Sequence, residues 1–188
     1  QYQIPIALFN GAVGGTYVSQ HARDDGNPEN LSTIYGRLLY RVRKAGLDQT
    51  VRGLLWHQGE SDGQTPPQQY LAAWAELRDD WLQDYPSLAQ IFMFQVRKGC
   101  GISNMKIREL QRTCGDVFTD VTVLPTAGID EHDGCHFMYA GYRDMGTWMA
   151  AAMAKVLYGE MISPSKNPPN LKEARFTSTA RDEIELLF

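Results

Sequence analysis

An aspartate three residues ahead of a histidine, in Asp133-Gly134-Cys135-His136, is the pair in this sequence best suited to acid–base chemistry. At that spacing the chain can turn back so that the carboxylate accepts the Nδ1 proton of the imidazole. The tautomer is then fixed with Nε2 open as a base, and the imidazolium that forms is stabilised. Gly134 supplies the backbone freedom such a turn requires. The competing reading of the same four residues is an Asp-Gly turn whose surface histidine caps the next helix.

Two other stretches carry groups of use to acyl transfer. Gly14-Gly15-Thr16 lacks side chains that would block close approach, so it can present a backbone N–H to a developing oxyanion; a plain strand-to-helix turn is the alternative. In His57-Gln58-Gly59-Glu60-Ser61-Asp62, the Gln58 amide can serve the same oxyanion and Glu60 can orient its neighbours or hold His136. A hydrogen-bonded loop scaffold is the alternative for both. Gly59-Glu60-Ser61-Asp62-Gly63 matches the G-x-S-x-G nucleophile elbow, but Thr65-Pro66-Pro67 postpones the helix that should follow at once. Ser103 precedes a helix and reads as its N-cap. Neither His57 nor His132 has an aspartate three residues before it.

The elements that must position these loops alternate between strand and helix patterns. An apolar run at 4–9 reads as the first strand and ends at Asn10-Gly11, and Asn27-Pro28 predicts a helix start with Leu31, Ile34, Tyr35, Leu38 and Val42 inward and Gly46 at its end. A strand over 51–56 leads to a helix opened by Pro66-Pro67, with Tyr70, Trp74, Leu77 and Trp81 as its inner stripe and Tyr85-Pro86 closing it. Then come a strand at 91–96, a helix of about ten residues from Ser103, and a strand at 117–124. A last helix carries Met138, Tyr142, Met145, Met149, Met153 and Val156, a methionine-rich stripe that reads as core filling. Strand–helix alternation predicts a three-layer α/β/α fold with a parallel sheet. In such sheets ligands bind beyond the carboxyl ends of the strands, which is where 14–16, 57–62 and 130–136 converge.

With 188 residues the chain is long enough for one domain, assigned to 1–160, and the beginning of a β-rich one at 161–188, where Ser163-Pro164 and Pro168-Pro169 read as a linker and 184–188 as a first strand. A net charge of -4 gives no electrostatic reason to expect a nucleic-acid partner, and no apolar run is long enough to span a bilayer. The chain begins at Gln1, and a segment upstream of it is expected. No His/Cys cluster has metal-ligand spacing. Of three cysteines, Cys100 and Cys114 flank the helix from Ser103 and would lie roughly 15 Å apart. A disulfide needs Cα atoms within about 7 Å, so any bridge is expected between Cys100 and Cys135.

Together the three loops resemble the sialate O-acetylesterase domain, close to carbohydrate esterase family six within the SGNH hydrolases. Residues 6–16, Ile-Ala-Leu-Phe-Asn-Gly-Ala-Val-Gly-Gly-Thr, resemble that family's glycine block, 56–62 its W-x-Q-G-E-S-D block, and 133–136 its D-G-x-H block. Arg108-Glu109-Leu110-Gln111 fits a helix the family carries before its last core strand. The resemblance implies Asp133 and His136 as two members of a triad, with Gly15 (beside Gly14) and Gln58 as oxyanion donors. It implies acetyl esters of sialic acids or of polysaccharides such as xylan as substrates, no metal or other cofactor, and a secreted, periplasmic or lysosomal setting. The family's serine lies in a G-Q-S-N block on a first strand preceding the glycine block, and nothing before Ile4 holds it. An upstream segment or separate chain is therefore expected to supply that strand and the nucleophile. The alternatives are an α/β-hydrolase using Ser61 and a sugar-binding module that keeps the crevice without the serine.

Overall fold

Three short strands, Gly53–Trp56 (β1), Gln90–Phe94 (β2) and Val121–Leu124 (β3), pair in parallel in the order β1-β2-β3. The structure is a computed structural model that describes residues 4–99, 104–160 and 171–188. Four helices accompany the sheet: Ile34–Lys44 (α1), Pro67–Asp84 (α2), Asn104–Val117 (α3) and Tyr139–Tyr158 (α4). Because successive strand residues point to opposite faces, β2 feeds two cores. Ile91 and Met93 join Val121 and Val123 against Leu39 and Val42 of α1, Tyr70, Trp74, Leu77 and Trp81 of α2, and Ile107 of α3. Phe92 and Phe94 join Leu124 against Met145 and Met149 of α4, with Ile129 and Phe137 from the preceding loop. This is the expected helix–sheet–helix layering, and it is consistent with an SGNH-type arrangement. All three loops that follow the strands leave from the same edge.

The stripe predicted for α2 is buried along its whole length, with Tyr70 and Trp74 fully so. Elsewhere the expectations need correction. Residues 4–9 form no strand: Ile6 and Leu8 are 85% and 79% exposed, and among the described residues β1 pairs with β2 alone. A strand exists only through a partner, and the described residues offer this run none. The first helix begins at Ile34 rather than at Pro28. Local side-chain bonds intervene: the Asp24 carboxylate accepts from the backbone N–H groups of Gly26 and Asn27, Asn30 accepts from Ser32, and the Thr33 hydroxyl caps Gly36. These bonds hold 24–33 in turns. A Cβ at Gly36 would lie 2.2 Å from the Asn30 carbonyl oxygen, so only glycine lets the turn close on the helix.

Strand β3 starts at Val121 instead of 117 because α3 runs on to Val117, which is largely exposed. Of the methionine-rich stripe, Met145 and Met149 are buried, while Met138, Tyr142 and Val156 stand half in solvent. The C-terminal stretch holds an antiparallel pair, Glu173–Phe176 (β4) and Ile184–Leu187 (β5), rather than one isolated strand. Ser103, Ser163-Pro164 and Pro168-Pro169 lie outside the described residues.

Candidate active site

The loop after β3 folds into a tight antiparallel turn. His132 bridges to Phe137, and the Asp133 N–H donates to the His136 carbonyl at 3.0 Å. Oδ1 of Asp133 accepts from the backbone N–H groups of Cys135 (2.8 Å) and His136 (2.7 Å), which leaves Oδ2 facing His136 Nδ1 at 3.3 Å. One carboxylate thus builds the turn and orients the imidazole. Gly134 sits at φ 110, where only glycine is at ease. The two backbone N–H bonds, first from Cys135 and then from His136, pull the Asp133 carboxyl down to about 2. Both side chains are well exposed, at 65% and 48%, so the pair adds little to stability; its consequence is orientation. Gly141 seats the first turn of α4 directly against this loop, since a Cβ there would lie 2.8 Å from the Asp130 carbonyl oxygen.

The glycine loop and the loop after β1 are bound together through one buried carboxylate. Asp62, 1% exposed, accepts from the Val18 N–H (2.9 Å), the Gln58 amide (2.5 Å) and the Thr65 hydroxyl (3.0 Å). The same Gln58 nitrogen donates to the Thr16 carbonyl at 2.9 Å, so both of its amide hydrogens are engaged. Its Oε1 is buried without a partner. Gly14 and Gly15 are exposed, with nothing near the position of a Cβ, and Gly15 adopts φ 72. Asp62→Ala would strand three donors and is expected to lower the unfolding free energy by about 3 kcal/mol in urea titrations.

Glu60 reaches the site through His57, whose Nε2 lies 3.3 Å from Glu60 Oε1. The His57 ring packs against Phe94 and Phe137, with centroids 6.2 and 6.5 Å apart, and it senses the charge of His136. Burial drives the His57 pKa down; Glu60 opposes this and His136 adds to it. His21 behaves likewise: burial lowers it against the pull of Asp62, and its Nε2 lies 2.8 Å from the Thr16 hydroxyl. Both rings are therefore neutral when folded and take up protons on unfolding. Stability should fall as pH drops below the free imidazole value of about 6.5. The expected outcome is a lower denaturant midpoint at pH 5 than at pH 7, with the difference reduced in His57→Gln.

Two of the sequence candidates are thus drawn together, Asp133 with His136, while Glu60 pairs with His57. Gln58 and the glycine loop are tied to each other. Ser61 starts a short 3-10 turn, Ser61–Gln64, and α2 begins only at Pro67, so no helix stands behind its hydroxyl. The partners of His136 within the turn are Asp133 and Cys135, whose Sγ lies 3.9 Å from Nε2. Cys135 is disulfide-bonded and Cys114 is a buried free thiol. Cys100, the expected partner of Cys135, lies outside the described residues. Sequence reasoning passed over His57 and Asp62. The i, i+3 spacing of His57 and Glu60 was the one local signal available.

A family model described as SASA, carbohydrate esterase, sialic acid-specific acetylesterase, matches residues 1–155. Neither the curated proteins nor the solved structures contain a match.

Proposed function

The chain belongs to the carbohydrate esterase family of sialic acid-specific acetylesterases, and from that membership we propose that it hydrolyses acetyl esters of sugars by a serine–histidine–aspartate mechanism. The observation that carries the mechanism is the Asp133–His136 turn at the carboxyl edge of the sheet. With Nδ1 held toward Asp133, Nε2 of His136 takes the proton from a serine hydroxyl as its oxygen attacks the acetyl carbonyl. The tetrahedral intermediate collapses to an acetyl-serine, and the departing sugar oxygen receives that proton from His136. Water, deprotonated by the same imidazole, then releases acetate and restores the serine. The Gly15 N–H is one oxyanion donor, with Gly14 leaving the approach open. Gln58 is the other, exchanging its hydrogen bond to Thr16 for the substrate oxygen. Glu60 steadies the neighbouring His57 ring, 3.3 Å from its carboxylate.

The serine is assigned to a segment outside these 188 residues. Support comes from the short 3-10 turn at Ser61 and from the edge of β1 that carries no partner strand among the described residues. A strand laid along that edge would end beside the loop 57–62, where a nucleophile is needed. Acetate release from O-acetylated sialic acid and from acetylated xylan, measured with such a segment supplied, tests the reading. Asp133, at about 2, stays charged throughout the working range and adds no acid limb of its own. Activity that survives His136→Ala would refute the assignment.

A further inference from the structure

The glycine loop gives up one of its tethers when an oxyanion forms. Gln58 holds the loop by donating to the Thr16 carbonyl at 2.9 Å, and the esterase reading has Gln58 leave that carbonyl for the substrate oxygen. The two glycines do not hold themselves. Both are exposed, nothing among the described residues lies within 4 Å of a Cβ built on either, and Gly15 stands at φ 72. Glycine backbone is the freest of all residue types. An oxyanion is stabilised by donors already in place, since a loose N–H has to be reorganised as the charge develops. Another contact has to fix the turn.

The surroundings of the Thr16 hydroxyl supply it. That hydroxyl donates to the Val13 carbonyl at 2.8 Å, closing a bond across Gly14 and Gly15. A hydroxyl has a single hydrogen, so in its contact with His21 Nε2, also 2.8 Å, the imidazole N–H is the donor. Burial lowers the His21 pKa against the pull of Asp62, and a neutral ring has one N–H, which the Thr16 oxygen receives. His21 ends the short 3-10 turn Val18–His21, whose first N–H is held by Asp62 at 2.9 Å. Its ring is buried edge-on against Trp56, the last residue of β1, with centroids 5.2 Å apart. Trp56 in turn packs on Trp81 of α2 at 5.3 Å. His21 thus links the glycine loop to the core.

We propose that His21 is a positioning residue for ester hydrolysis: through the Thr16 hydroxyl it holds the Gly14–Gly15 turn in its oxyanion-binding shape while substrate engages Gln58. The role in hydrolysis rests on the esterase reading; the bracing of the turn rests on the hydrogen bonds alone. His21 acts at one remove from the substrate. Its effect falls on the transition state, where the oxyanion exists, so it belongs to kcat and leaves KM nearly untouched.

Two substitutions separate the hydrogen bond from the ring. His21→Phe keeps an aromatic edge against Trp56 and loses the donor; His21→Gln keeps a side-chain donor for Thr16 and loses the ring. In the chain combined with the supplied nucleophile segment, His21→Phe is expected to lower kcat for acetyl-ester hydrolysis about tenfold to a hundredfold, part of the loss that follows removal of a whole oxyanion donor, with KM within about twofold. His21→Gln should recover most of that kcat. Thr16→Val should lose at least as much as His21→Phe, and the double variant no more than Thr16→Val alone, because both break one link. Additive losses, or a kcat that follows the ring and not the donor, overturn the proposal. Relaxation-dispersion nuclear magnetic resonance of the 188-residue chain reads the brace without turnover. The Gly14 and Gly15 amides should show microsecond-to-millisecond exchange in His21→Phe, and none in the unaltered chain or in His21→Gln. Glycine amides that behave alike in the three proteins overturn the proposal as well. Failure of the unaltered chain and segment together to release acetate refutes the esterase reading alone, and the resonance comparison then decides whether His21 holds the turn.

Discussion

Replacing His136 with alanine is expected to lower kcat for acetyl-ester hydrolysis by about five orders of magnitude, with the far-ultraviolet circular dichroism unchanged. The side chain is 65% exposed and makes few contacts, so its removal should disturb the fold little. Chemistry is what it takes away: without Nε2 no group in the turn can accept the serine proton. Asp133→Asn should fall short of that loss, at about three to four orders of magnitude. Asparagine keeps an oxygen to accept from the Cys135 and His136 N–H groups, so the turn survives. Its amide then presents either a neutral oxygen or a donor to Nδ1, which weakens the imidazolium or holds the wrong tautomer. A smaller but clear loss is expected for His57→Ala, since Glu60 would lose the ring that stands 3.3 Å from its carboxylate. An identical loss in Asp133→Asn and His57→Ala would mean that the turn is not what orients the base.

The second large effect concerns the nucleophile. The 188-residue chain alone is expected to hydrolyse p-nitrophenyl acetate no faster than buffer. A co-expressed segment carrying a G-Q-S-N strand should raise the rate by several orders of magnitude, because it supplies the nucleophile on which the covalent route depends. The added strand has a site to occupy: among the described residues β1 pairs on one side only, and Leu55 on that strand is 43% exposed. Turnover by the chain alone that disappears in Ser61→Ala would instead favour the nucleophile-elbow reading.

What could be read in advance divides along physical lines. The Asp133–His136 pair was legible because an i, i+3 turn is local, needing only the intervening glycine and the two side chains. The α2 stripe was legible because Tyr70, Trp74, Leu77 and Trp81 keep helical spacing over an 18-residue helix. The run at 4–9 was misread because alternation and apolarity describe a strand's surface, whereas pairing is decided by a neighbour elsewhere in the chain. The late start of α1 came from competition within one segment: Asp24, Asn30 and Thr33 offer the backbone other hydrogen bonds before a helix can begin. His57 passed as a bystander because its environment is assembled from Phe94 and Phe137, which belong to other elements. The contact of Arg97 with the Gly134 carbonyl depends likewise on how the loops after β2 and β3 fold together, and no spacing rule reaches that far.

Labelling with a fluorophosphonate, which forms a covalent adduct only with an activated serine, tests the central claim most directly when followed by peptide mapping. The account predicts no adduct anywhere in the 188-residue chain. It predicts one adduct on the supplied segment when the two are combined, and none there once His136 is alanine. An adduct on Ser61, or on any other serine of this chain, would contradict it.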